Sequence, residues 1–177
     1  MKTMKKTVGL FAVIFAMLFA NNTQAQDKDI VELAVGTEAL STLVTAVKAA
    51  GLVETLKSEG PFTVFAPTNA AFEALPEGVL AMLLKPENKD KLVSVLTYHV
   101  VSGEVMSKDI TKNMKAKTVE GSEAWIKVDG KSVMIDNATV AMADVDASNG
   151  VVHVIDAVIL PPSIKKALNA NSKKSDY

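Results

Sequence analysis

The hydrophobic positions in the first half of the chain recur at helical spacing. Between residues 40 and 98, apolar side chains lie three or four residues apart, which places them on one face of a helix. Gly51 follows the first of these stretches, and glycine is favoured in the left-handed position just past a helix end. The positions that define the predicted helices are Leu40, Leu43, Val44 and Val47; Leu52, Val53 and Leu56; Leu80, Leu83 and Leu84; and Leu92, Val93 and Leu96.

A short strand is predicted among these helices at residues 62–66, where the sequence reads Phe-Thr-Val-Phe-Ala. Pro67 ends this strand, because proline has no amide hydrogen to donate to a strand ladder. Asn69 stands where a side-chain oxygen can cap a helix that continues through Phe72. We therefore predict a strand that leads directly into a helix capped by Asn69.

After Tyr98 the pattern changes from helical to alternating, and Val and Ile become the main apolar residues. In residues 124–128 the apolar positions alternate with Trp125 and Lys127, as in a strand with one buried face. The Asp129-Gly130 pair that follows is a strong signal for a hairpin turn. The second half of the chain is therefore predicted to consist mainly of strands.

The most apolar stretch outside the N-terminus runs from residue 151 to residue 160, after a second hairpin signal at Asn149-Gly150. Apart from His153 and Asp156, both faces of this stretch are apolar, which predicts a central strand covered on two sides. Helices in the first half and strands in the second predict an α+β fold.

Charge and hydropathy separate the N-terminus from the rest. The mean hydropathy of the chain is +0.22, and its densest apolar run covers residues 8–20, after Lys2, Lys5 and Lys6. A basic start, a short apolar run and a small residue, Ala25, are typical of a signal peptide. We predict cleavage after residue 25, export to the periplasm or the medium, and no membrane span in the mature chain.

The mature chain is predicted to hold one domain, residues 26–162, followed by a polar tail at 163–177. The tail from Asn169 onward is rich in Lys, Ser and Asn, so we expect its end to be disordered. Loss of three lysines with the signal peptide leaves 16 basic residues against 20 acidic ones. This balance disfavours a nucleic-acid partner.

Two residue types are absent from the 177-residue sequence. Without cysteine there can be no disulfide, thiolate nucleophile or cysteine-ligated metal. Without arginine there is no planar fork for bidentate binding of phosphates or carboxylates. Positively charged contacts with a partner must therefore be made by lysine.

Three segments, in order, resemble the signatures of the fasciclin domain family. They are residues 60–72 (GPFTVFAPTNAAF), 96–101 (LTYHVV) and 149–161 (NGVVHVIDAVILP). The resemblance implies a β wedge or sandwich with a helical layer, and adhesion or matrix contact without enzymatic activity or cofactors. It also implies candidate contact residues at Tyr98 and His99, because this motif is implicated in receptor binding in some animal relatives. The signature positions expected to be structural are Phe65, Pro67, Thr68, Asn69, Phe72, Gly150, His153 and Asp156.

The two histidines of the chain each allow a structural and a functional interpretation. Tyr98 and His99 either satisfy backbone groups where a helix meets a strand, which we favour, or contact a ligand. His153 could bind a metal with Asp156, but residues three apart on a strand point to opposite faces. A hydrogen-bonded core histidine is the better interpretation of His153, and we predict no metal site.

The sequence gives little support for hydrolysis or for calcium binding. No serine lies in a G-x-S-x-G elbow, so a hydrolase is not indicated. The acidic segment from Asp144 resembles a calcium loop, but Asn149 stands where the turn glycine belongs and Ile155 where a glutamate should close the site. We predict a solvated hairpin turn there.

The sequence thus predicts an exported protein that mediates cell-surface, matrix or envelope adhesion through contacts with a protein or a polysaccharide. The alternative is a small-molecule or glycan-binding module. A deep apolar pocket with a few converging polar groups would favour that alternative.

Overall fold

A computed structural model of the protein describes residues 28–130 and 132–172. The signal peptide predicted at residues 1–25 lies outside this part. Within the described ranges, no helix combines the length and the apolar character that crossing a membrane requires.

Most helices come before the main group of strands, as predicted. Gly51 ends α2 in the left-handed conformation, with a φ of 75°, as the sequence indicated. At the start of α4 the prediction was wrong, because Thr68 is the capping residue and Asn69 is already helical. The helices are α1 (Ile30–Val35), α2 (Ser41–Ala50), α3 (Val53–Lys57), α4 (Asn69–Glu73), α5 (Val79–Leu83), α6 (Lys89–Tyr98) and α7 (Pro162–Ser172).

Seven strands form one mixed sheet in the order β2-β1-β7-β6-β5-β4-β3. Both predicted hairpins are present, β4 with β5 and β6 with β7. The two outer strands approach each other at a bridge between Val101 and Thr118, so the sheet curves into a wedge. The strands are β1 (Phe62–Pro67), β2 (Val100–Ser102), β3 (Met114–Lys117), β4 (Glu123–Asp129), β5 (Ser132–Ile135), β6 (Ala138–Ala147) and β7 (Gly150–Ile155).

The central position of β7 is confirmed, because it pairs in parallel with β1 and antiparallel with β6. Its predicted end is wrong, since the strand stops at Ile155 and not at residue 160. Asp156 leaves the ladder and exchanges hydrogen bonds with Thr139: its amide donates to the Thr139 carbonyl at 3.1 Å, and its Oδ1 accepts from the Thr139 amide at 2.7 Å.

Two hydrophobic clusters hold the fold together. One lies between the helices and the sheet and includes Leu43, Leu96 and Val152. The other fills the inside of the wedge and includes Phe65 and Ile126. Full burial of each large apolar side chain stabilises the folded state by about 1.5–3 kcal/mol. These clusters therefore provide the stability that disulfides provide in many small exported domains.

The predicted tail begins as a helix. α7 starts at Pro162, buries Ile164 against the helical cluster and continues to Ser172. The expected loss of order in the tail from Asn169 onward stays a prediction. Residues 173–177 lie outside the described part.

Candidate functional site

His99 is buried at the end of α6, with 2% of its surface exposed. Its Nδ1–H donates to the carbonyl of Val95 at 2.7 Å, and its Nε2 accepts from the amide of Ile159 at 3.2 Å. Burial lowers the pKa of His99 from 6.5 to about 4, so the ring is neutral near pH 7. Through these two hydrogen bonds, His99 therefore connects α6 with the segment that follows β7.

Tyr98 is equally buried, and it points into the wedge. Its hydroxyl donates to Oδ2 of Asp136 at 2.8 Å, while Oδ1 of Asp136 accepts from the amide of Trp125 at 3.0 Å. Burial, together with the Asp136 carboxylate, raises the pKa of the Tyr98 phenol. Tyr98 thereby fixes the turn between β5 and β6.

The burial of Tyr98 and His99 bears on the two interpretations of this motif in the folded domain. Neither side chain has more than 2% of its surface available to a partner, and each is hydrogen-bonded inside the protein. The structure therefore favours the structural role for both residues.

His153 is a core residue, with 1% of its surface exposed. The amide of Asp144 donates to its Nδ1 at 3.2 Å, and its Nε2–H donates to the carbonyl of Val105 at 2.8 Å. The ring also stacks on Phe65, with 5.4 Å between the two centroids. Both ring nitrogens are thus engaged, and Asp156 bonds elsewhere, so the two residues do not form a common site. In the described ranges no three His, Asp or Glu side chains are grouped to hold a metal ion.

The other signature residues also organise the fold. Phe65 and Phe72 are buried in the two clusters, and Pro67 is buried at the end of β1. Oγ1 of Thr68 accepts from the amide of Ala71 at 3.3 Å, which caps α4. Asn69 does not cap α4 but links it to the helical segment at residues 38–42. Its Oδ1 accepts from the Thr42 amide at 2.9 Å, and its Nδ2 donates to the Glu38 carbonyl at 3.0 Å.

Gly150 is required by the close approach of β1 and β7. It has a φ of 152°, and a Cβ atom at this position would overlap the backbone of Phe62. Glycine has no Cβ atom, so it adopts this φ without strain and leaves room for the backbone of Phe62.

Asp144 lies in an irregular part of β6, with a φ of 57°. Its carboxylate accepts hydrogen bonds from the amide of Ser107 at 2.7 Å and from the Ser107 hydroxyl. Partial burial opposes ionisation, but the bonds from Ser107 outweigh it and lower the pKa of the Asp144 carboxyl. Asp144 thus anchors the loop after β2.

The sequence interpretation missed an exposed site on the outer side of β3 and β4. Trp125 is 47% exposed, and Nζ of Lys115 lies 4.8 Å from the centroid of the indole. On the β5 side, an open depression is lined by Trp125, Lys127, Asp136, Asn137 and Lys165. We call the surface formed by Lys115, Lys117, Trp125, Lys127 and Lys165 the Trp125 face. Its sequence signal was the position of Trp125 in the outward set of an alternating strand.

An apolar cavity of about 60 Å³ lies between the helices and the sheet, lined by residues such as Leu43, Leu56 and Val152. Ligand pockets of soluble proteins have volumes of about 300–1,000 Å³. The cavity is therefore a packing gap and too small for a typical ligand.

Comparisons with known proteins agree with this architecture. In structure, the chain is similar to a FAS1 domain pair from the insect cell adhesion molecule fasciclin I, with a TM-score of 0.66 and 18% identity. The match covers 77% of this chain and 52% of the domain pair, so the chain spans about half of that structure.

In sequence, the chain is 59% identical over 133 residues to protein sll1483 of Synechocystis, covering 75% of this chain and 73% of that protein. It is 40% identical over 136 residues to the transforming growth factor-beta-induced protein ig-h3 of Sus scrofa, covering 77% of this chain but only 20% of the larger protein. The Fasciclin domain model matches residues 38–161. This chain therefore belongs to the fasciclin domain family.

Proposed function

We propose that the protein is exported and mediates adhesion to a cell surface, matrix or envelope polymer by surface contact, without catalysis. The observation that carries this proposal is the Trp125 face, where a large aromatic side chain lies exposed among lysines on a sheet. Tryptophan is enriched at binding hot spots because it combines a large apolar area with few rotatable bonds. The insect structure with the same fold comes from a cell adhesion molecule, which supports the same class of function.

The positions of the chain's two histidines support a non-enzymatic role. His99 and His153 are both buried, and both ring nitrogens of each are engaged in hydrogen bonds with the backbone. A general base must reach the proton that it removes, and neither ring can do so in the folded domain. A role in adhesion requires no such group.

The principal test is an adhesion assay with the mature chain immobilised on beads. The beads are presented with envelope and extracellular-matrix fractions of the producing cells, and retention is measured for the wild type, Trp125→Ala and Met142→Ala. Met142 is the matched control, because it is 59% exposed on β6 and does not line the depression beside Trp125. We expect Trp125→Ala to lower retention about tenfold, which corresponds to about 1.4 kcal/mol, and Met142→Ala to leave it unchanged. Equal retention by all three proteins would contradict an adhesive role for this face.

Export has its own test. N-terminal sequencing of protein recovered from the periplasm and the medium is expected to begin at Gln26. Recovery only from the cytoplasm, starting at Met1, would contradict it.

The alternative of a small-molecule module finds no support in the 60 Å³ cavity. A glycan would instead have to bind outside the core, where Trp125 offers an aromatic surface beside polar groups. The glycan alternative therefore leads to the same face as the adhesive function.

A further inference from the structure

Strands β3 and β4 have two chemically distinct faces. Ala116, Ala124 and Ile126 point into the wedge and are buried. On the opposite face, Lys115 is the cross-strand partner of Trp125. By the same alternation, Lys117 pairs with Glu123 and Lys127 with Met134 on this outer face. The Trp125 face is thus built on paired strands, which hold the side chains in fixed relative positions.

The charge of the Trp125 face is opposite in sign to that of the whole chain. The full sequence has a formal net charge of −1, whereas the side chains of this face that the structure describes include four lysines and two carboxylates, Glu123 and Asp136. Oε2 of Glu123 lies 2.9 Å from Nζ of Lys115. Asp136 is occupied by the Tyr98 hydroxyl and the Trp125 amide, and its Oδ2 lies 3.8 Å from Nζ of Lys165.

Two lysines of the face remain available for an external anion. Both Lys117 and Lys127 are exposed, and neither forms an ion pair within 4.0 Å with the carboxylates whose side chains the structure describes. Lys127 also borders the depression beside Trp125. A negatively charged ligand would therefore find exposed positive charge next to an exposed aromatic ring.

The composition of the face indicates a hydrated anionic polymer in preference to a protein surface. The cores of protein interfaces are enriched in arginine and depleted in lysine, and this chain has no arginine. Lysine is a strongly hydrated point charge on a flexible stem, which suits diffuse charge along a polymer better than a bidentate contact. The indole presents a flat apolar surface with a polar edge, which suits stacking against the C–H face of a sugar ring.

The geometry around Trp125 leaves room for such a ring. Lys115 covers the indole from the β3 side, whereas the depression lies on the β5 side. Successive outward residues on a strand are about 6.8 Å apart, so Lys127 can reach a group on the sugar that stacks on Trp125. Asn137 and Lys165, from a turn and from α7, line the other side of the depression.

We propose that the Trp125 face binds a carboxylated polysaccharide, a polymer of uronic-acid type sugars. A sugar ring stacks on the indole of Trp125, Lys117 and Lys127 neutralise carboxylates along the polymer, and Asn137 bonds hydroxyl groups. This proposal rests on the proposed adhesive function and specifies its ligand.

The sequence offers a direct probe, because Trp125 is the only tryptophan. Quenching of its fluorescence by acrylamide is measured for the mature wild type with alginate, a polyuronate, and with dextran, a neutral polysaccharide of similar length. We expect alginate to lower the quenching constant at least twofold at low salt and dextran to leave it unchanged. Addition of about 0.5 M NaCl should abolish the effect of alginate, because salt screens exposed charges. Unchanged quenching with alginate, or equal protection by dextran, would overturn the proposal.

Variants locate the binding on this face. Retardation in alginate-containing gels is expected to weaken about threefold to tenfold for Lys127→Gln and for Lys117→Gln. The matched control is Lys85→Gln, because Lys85 is exposed and does not line the depression beside Trp125. Equal retardation of Lys127→Gln and Lys85→Gln would count against the site. Single-stranded DNA of equal charge that binds as tightly as alginate would overturn the choice of a carboxylated sugar.

The two proposals can fail separately. If Trp125→Ala loses adhesion but the wild type does not bind alginate, the adhesive function stands and its ligand is not a polyuronate. If alginate protects Trp125 but Trp125→Ala adheres normally, the polysaccharide site stands and the adhesive function fails.

Discussion

The burial of His99 predicts that the protein loses stability between pH 6.5 and pH 4. The pKa of His99 is lowered to about 4 in the folded protein, against 6.5 for an ordinary histidine, because its ring is buried. Between these two pH values the unfolded chain binds a proton at His99 that the folded chain does not. The free energy of unfolding must therefore fall as the pH is lowered through this range, and the His99 contribution levels off below pH 4.

The size of this effect follows from the two pKa values. Each tenfold difference in proton affinity corresponds to about 1.4 kcal/mol, so the whole range is worth about 3 kcal/mol. Between pH 7 and pH 5 the loss amounts to about 2 kcal/mol. That is a large part of the stability of a typical domain, which is about 5–15 kcal/mol.

The assay is urea unfolding followed by circular dichroism at pH 7, 6 and 5, for the wild type and His99→Gln. The variant should be less stable at pH 7, because the bonds to Val95 and Ile159 are disturbed, but it lacks the titrating ring. The stability difference between the two proteins should therefore shrink by about 2 kcal/mol from pH 7 to pH 5. Parallel pH profiles would refute the reasoning. If the variant does not fold, the assigned imidazole resonance of wild-type His99 serves instead, and titration near pH 6.5 would refute it.

Three further substitutions test the structural roles assigned above, each by urea unfolding. Tyr98→Phe removes the 2.8 Å bond to Asp136 and should cost about 1–3 kcal/mol without reducing adhesion, whereas reduced adhesion at full stability would restore Tyr98 as a contact residue. Gly150→Ala should destabilise the domain by more than about 2 kcal/mol, because the added methyl group meets the backbone of Phe62; a neutral result would show that the strands can separate. Thr68→Ala should cost about 1 kcal/mol through loss of the α4 cap, and no change would contradict that assignment.

Local signals were sufficient where a feature depends on neighbours in the sequence. Gly51 marked the end of α2, because the left-handed conformation past a helix end is a property of a few adjacent residues. The hairpin turns were predicted for the same reason. Alternation in residues 124–128 likewise separated the buried face of β4 from the outward side chains of Trp125 and Lys127.

Local signals failed where distant backbone groups compete for the same residue. The amide of Thr68 donates to the carbonyl of Ile155 at 3.2 Å, which keeps Thr68 extended and makes it the cap of α4. Asn69 then bonds to the backbone of a helical segment about thirty residues earlier. The end of β7 was predicted wrongly for a similar reason. The amide of Ile159 donates to Nε2 of His99, a distant residue, and not to a neighbouring strand.

The sequence by itself determined the family, the α+β class and most of the helices and hairpins, because these follow from periodicity, turn residues and three ordered motifs. Only the tertiary structure decided that Tyr98 and His99 are buried, since burial depends on which elements pack over them. It also decided the position of the Trp125 face. Lysines 115, 127 and 165 come from two strands and the last helix, and chain folding alone brings them around one exposed ring.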